Sequence, residues 1–149
     1  MSEKTIIKNI DSYIIKIVNN ELHLTPKTVV KNEVNDETDI ISSIILKVKI
    51  NNKEINEKKY SPLLIYIIEL INKEKNINVK DLIDKTKFNY KIGEYTYNGF
   101  HYKEHIGISI QYKDSYSTFK AIEILAKTYE YSLILKLKTN TSKIVKYEF

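Results

Sequence analysis

Asn98-Gly99 is the strongest chain-reversal signal in this sequence. Both central residues of a type I′ turn need φ > 0, which glycine adopts freely and asparagine tolerates. Folding Tyr90–Tyr112 back at this point sets Tyr97 opposite Phe100, Tyr95 opposite Tyr102 and Glu94 opposite Lys103. Two aromatic pairs and one opposite-charge pair then share one register. Because side chains alternate along a strand, one face of this hairpin carries Tyr95, Tyr97, Phe100 and Tyr102, continued by Ile106, Ile108, Ile110 and Tyr112. The other carries Glu94, Thr96, His101, Lys103, His105, Ser109 and Gln111, with Gly107 baring the backbone. An apolar face inward and a mixed polar face outward describes an antiparallel sheet buried on one side. The aromatic stripe is therefore expected in the core.

The same design recurs along the chain. Thr5–Ile10 reads as a short strand. Ser12–Val18 and Glu21–Thr25 form a hairpin about Asn19-Asn20, with Ile15 against Leu24, Ile17 against Leu22 and Lys16 against His23. Pro26 ends that strand or marks an edge, and Lys27–Lys31 is a further short strand. Asn32–Asp39 reads as a solvated acidic loop, without the alternating oxygen ligands and glycine of a calcium loop. Ile40–Ile50 alternates, with Ile44, Leu46, Val48 and Ile50 on one side and Ser43, Ile45, Lys47 and Lys49 on the other. Asn51-Asn52 turns the chain and sets Lys49 against Glu54.

Ser61-Pro62 has the form of an N-cap and first helical residue, opening a helix to Lys75 that is apolar nearly all round. Asn78 opens a second, short helix to about Lys87, with Asp81 near its positive end. Asp114 or Ser115 caps a third helix to about Glu130, whose stripe is Phe119, Ile122, Leu125, Ala126 and Tyr129. Tyr131–Lys138 turns Leu133, Leu135 and Leu137 inward, and Ile144–Phe149 closes a last hairpin after Thr139–Ser142. Hairpins feeding helices, without regular βα alternation, predict an α+β fold. The expectation is a single globular domain over 1–149, an antiparallel sheet of successive hairpins with about three helices on one face. Two close helices before a hairpin also admit a winged helix-turn-helix, but no third helix presents a polar reading face and no arginine is present to read guanine.

The absence of cysteine removes disulfides, thiolate metal sites and a Cys nucleophile. Met1–Asn9 lacks the pattern of a signal peptide, and the longest apolar run, Leu63–Ile71, is far below the ~20 residues that span a bilayer. A cytoplasmic protein without membrane contact or cofactor is expected. The chain holds 24 lysines and no arginine, with a net charge of +5. Abundant Ile, Lys and Asn are the codon signature of a low-GC genome, such as that of a phage, plasmid or large virus. That bias, rather than selection for charge, accounts for much of the lysine content.

Three constellations bear on chemistry. His101 and His105 lie four apart on a predicted strand, roughly 13 Å, too far to share a metal ion. His23-Leu24-Thr25 and His105-Ile106-Gly107 resemble the paired His-x-Thr/Ser motifs of the 2H phosphoesterases. That resemblance implies a metal-independent phosphodiesterase in which His23 and His105 exchange a proton across a cleft. Thr25 and Ser109 would grip phosphate, Ser109 standing one pleat beyond the hydroxyl that Gly107 lacks. Lys47, Lys49, Lys136 and Lys138 would form a basic face for nucleic acid if their strands were neighbours. The leading expectation is a small non-enzymatic binding protein, an accessory or inhibitor protein of a phage, plasmid or virus. Its partner would be a protein or nucleoprotein, docked on Glu94, Thr96, His101, Lys103, His105 and Gln111.

Overall fold

The computed structural model describes residues 5–10 and 13–149. The fold is α+β, its described residues forming eleven strands in three sheets with four helices. β1 (Thr5–Ile10), β2 (Tyr13–Val18) and β3 (Glu21–Pro26) form an antiparallel meander. Asn19 and Asn20 both take positive φ, and the register is Ile15 with Leu24, Lys16 with His23 and Ile17 with Leu22, as the sequence predicts.

The main sheet has the order β4-β11-β10-β5-β6. Its strands are β4 (Thr28–Lys31), β5 (Ile44–Ile50), β6 (Lys53–Ile55), β10 (Leu133–Lys138) and β11 (Ile144–Glu148). All its pairs are antiparallel except β4 with β11, so β4 joins this sheet from afar rather than through a hairpin. Asn51 and Asn52 turn β5 into β6 with positive φ, and Lys49 faces Glu54.

The cover comes from α2 (Tyr60–Lys75) and α4 (Ser115–Thr128), beside α3 (Val79–Thr86). α2 begins one residue ahead of the predicted cap: Lys59 takes the N-cap position without a side-chain bond, and Ser61 lies inside the first turn. Asn78 caps α3 through Lys80 N–H, and Asp114 caps α4 through Ser117 N–H. Phe119 of α4 meets the Tyr147 ring edge-on at 4.8 Å and Tyr60 of α2 at 5.5 Å, joining both helices to the sheet. One buried cluster runs from Val34 to Tyr147, and among the described residues none of β1–β3 belongs to it.

Two expectations are corrected here. The β5–β10 pairing skips a residue between Lys136 and Leu137, so Leu137 faces Ile45 rather than Leu46. This bulge reverses the alternation: Ile45 enters the core with Val48 and Ile50, while Ile44 and Leu46 are turned outward. The acidic segment is not wholly solvated either. It contains α1 (Glu37–Ile40), capped by Asp36, and Asp39 is buried in ion pairs with Lys31 and Lys143. A carboxylate held between two cations offsets much of its desolvation, which lets Asp39 tie β4 to the β10–β11 turn.

The third sheet has the order β7-β9-β8, built from β7 (Asn89–Ile92), β8 (Phe100–Lys103) and β9 (Ile108–Gln111). It lies against α2 and α3: His105 contacts Glu69, and Ile106 and Ile108 border a hollow with Asn72, Ile77 and Val79. Among the described residues no helix is long and apolar enough to cross a membrane.

Candidate functional site

Asn98 and Gly99 form the expected turn, with φ of 55° and 79° and Phe100 N–H donating to Tyr97 O at 3.1 Å. The strand predicted to precede it does not form. Ser109, fully buried on β9, instead accepts from Tyr95 N–H at 2.8 Å and donates to Gly93 O at 2.7 Å, holding 93–95 as a loop. β8 then pairs with β9 through a 3-10 turn at Glu104–Ile106, closed by Gly107 in the left-handed region. This turn breaks the alternation assumed across Tyr90–Tyr112, and with Tyr95 in the loop Tyr102 pairs with Ser109 instead.

The aromatic stripe accordingly leaves the core. Phe100 and Tyr102 lie on the outward side of the small sheet, opposite in parity to Ile108 and Ile110. Tyr95 packs edge-on against Phe100 at 5.1 Å, Lys91 sits 4.6 Å from the Tyr95 ring centre, and Tyr97 is 72% exposed. The expected polar array is divided for the same reason. Glu94 and Thr96 occupy the loop. His101 and Lys103 share a face with Ile108 and Ile110, whereas Gln111 points to the other and donates to Asn98 O. His105 stands in the 3-10 turn beside Glu69. Gly107 serves the turn, its N–H donating to Lys103 O and Glu104 O.

The two histidines of the phosphoesterase resemblance occupy different parts of the fold. His23 lies on β3, 3.7 Å from Glu21, with Thr25 two residues on along the same face. His105 lies beside α2. His105 borders a hollow with Glu57, Pro62, Tyr66 and Lys103, and His23 is not in its wall. The Ser109 hydroxyl is engaged by backbone on both sides.

What the fold does bring together is lysine. On the face of the main sheet away from the helices, Lys136 of β10 stands directly opposite Lys47 of β5 on one side and Lys146 of β11 on the other. Three cations thus form one row across three adjacent strands. The row on one side of it runs Glu54, Lys49, Ile134 and Glu148, and the row on the other side runs Ile44, Lys138, Ile144 and Thr28. The centre is a shallow hollow of about 330 Å³ lined by Thr28, Lys47, Lys49, Ile134, Lys136 and Lys146. Only Lys146 of these lysines has an ion pair among the described residues, to Glu148 at 2.7 Å. Like charges directly opposite in a sheet destabilise it, so this row carries an internal electrostatic cost.

Lys47, Lys49, Lys136 and Lys138 were legible as outward residues of alternating strands, and their adjacency follows from β5–β10 pairing. Lys146 escapes sequence reasoning: its alternation within 144–148 marks it as outward, but no local signal places it beside Lys136. No family model, curated protein or solved structure matches the chain.

Proposed function

We propose that this protein acts without catalysis, by binding a polyanionic macromolecule on the open face of its main sheet. The observation that carries this reading is the Lys47–Lys136–Lys146 row. Codon bias explains many lysines, but not lysine opposite lysine twice in succession. A face needing only solubility is better served by lysines alternating with acids, as Lys49 and Glu54 do. A bound anion turns the repulsion within the row into attraction, and the lysine stems supply apolar contact around it. The size of the chain and its lysine- and isoleucine-rich composition fit an accessory or inhibitor protein of a phage, plasmid or virus that works by occupying a partner's surface.

The test is fluorescence anisotropy with two labelled probes, poly-L-glutamate and a short DNA duplex, at low salt and at about 0.15 M. Wild type is expected to bind at least one probe, more weakly as salt rises. The Lys47→Glu/Lys136→Glu variant should lose about tenfold or more in affinity, corresponding to about 1.4 kcal/mol. Equal binding by both proteins, or no binding of either probe at low salt, overturns the reading.

A further inference from the structure

The lysine face does not end at its edge strand. Lys27 alone separates β3 from β4, so the edge of the main sheet runs on into the N-terminal sheet as an arm. Thr28 and Val30 of β4 lie on the lysine side, in the rows of Ile144 and Lys146. Leu22 and Leu24 share one face of β3, and Lys27, outside both strands, joins that strand to β4. Registered with them are Ile6, Ile15 and Ile17, with Lys8 at the position opposite Ile15, giving the arm one mainly aliphatic face. Its other face is mixed, with Lys16, Glu21, His23 and Thr25 beside Ile7, Ile14 and Val18. Among the described residues this face stands open: Leu22 is 63% exposed, Leu24 57% and Ile6 51%. A contiguous apolar patch of this kind marks an interaction site, and a short three-stranded meander needs such a face covered. Exposed aliphatics also flank the lysine row itself, at Ile44 and Val30.

We infer that the lysine face and the aliphatic face of the arm form one docking surface for an acidic protein surface, one that presents aliphatic side chains beside its carboxylates. This rests on the polyanion reading above and names the partner's class. Charge complementarity selects the carboxylates. The arm selects a protein over nucleic acid, because phosphate and sugar leave Leu22 and Leu24 unmatched and no ring stands among the lysines to stack a base. A second copy is disfavoured by the same geometry. The matching surface of a second copy offers lysines and aliphatics but no carboxylate row to meet the lysines.

The inference is tested by comparing two peptides of equal length and equal charge, one of glutamate spaced by serine and one of glutamate spaced by leucine. Wild type is expected to bind the leucine-bearing peptide about tenfold or more tightly. Leu22→Thr/Leu24→Thr, which retains strand propensity, should remove that margin and leave binding of the serine-spaced peptide unchanged. Equal affinity of wild type for the two peptides overturns the inference while leaving polyanion binding intact, and this comparison needs no variant to fold. Failure of wild type to bind either peptide overturns the inference, and failure to bind the DNA duplex as well defeats the underlying reading. A wild-type dimer in sedimentation equilibrium that becomes monomeric in the threonine variant assigns the arm to a second copy and overturns the inference. So does capture by phosphatidylserine vesicles without any preference between the peptides.

Discussion

The main sheet and the N-terminal arm are one residue apart and made of the same parts, short alternating strands reversed at Asn-Asn turns. In the main sheet Leu133, Leu135, Leu137, Val145 and Tyr147 have no exposed surface. In the arm, strands of equal regularity leave Ile6, Leu22 and Leu24 more than half exposed. The strands do not differ in kind; the helices do. Among the described residues, α2 and α4 share the buried cluster with the inward face of the main sheet, and the arm contributes nothing to it. Alternation thus decides which side chains share a face, and a distant element decides whether that face is core or surface.

The largest expected effect comes from removing a piece of the cover. Phe119→Ala deletes a ring that touches Tyr60, Tyr147 and Phe149, and should cost about 3–5 kcal/mol in urea unfolding. Leu24→Ala in the arm should stay within about 0.5 kcal/mol. A comparable loss at Leu24 would show the arm to be covered in solution and would break the contrast.

The cap on the covering helix comes next. Asp114→Ala should cost about 1 kcal/mol. Hydrogen bonds from the Ser117 N–H and hydroxyl hold the Asp114 carboxyl below its ordinary value, and the Thr38 hydroxyl and N–H do the same for Asp36. A carboxyl with a lowered folded pKa adds stability above its unfolded pKa and loses it as pH falls through the folded one. Stability should therefore decline from about pH 4 downward, and less steeply in Asp114→Ala. Identical acid profiles for the two proteins would detach the cap from the main sheet's stability.

The smallest effect has the opposite sign. Lys136→Glu replaces the middle lysine of the row and should raise stability by about 0.2–1 kcal/mol while weakening polyanion binding. The gain in melting temperature should shrink as salt rises. A variant less stable than wild type at low salt would show that the row is not repulsive.

Turn positions, caps and most faces were legible because each is a local matter. Asn19-Asn20 and Asn51-Asn52 tolerate positive φ, so the arm register and the Lys49–Glu54 pair follow from the chain's own pattern. Asn78 and Asp114 accept from the N–H groups that any helix start leaves open. The reading failed where a distant group competed with a local preference. Ser109 captures Gly93 and Tyr95, and a hairpin with good propensity gives way to a loop and a 3-10 turn. A one-residue bulge exchanges Leu46 for Ile45, which no alternation pattern announces. Asp39, in an acidic run that looks solvated, is buried because Lys31 of β4 and Lys143 of the β10–β11 turn converge on it.

The candidate site divides in the same way. By itself the sequence determined that Lys47, Lys136 and Lys146 each point away from an apolar strand face, since alternation is a property of the single strand. Only the tertiary structure decided that they stand side by side on an uncovered sheet. Pairing of β5, β10 and β11 depends on contacts between segments far apart in the chain, and loop closure leaves no trace in local pattern. Chain reversal and side-chain parity are written residue by residue, whereas neighbourhood is settled by which strands and helices meet when the whole apolar surface is buried together.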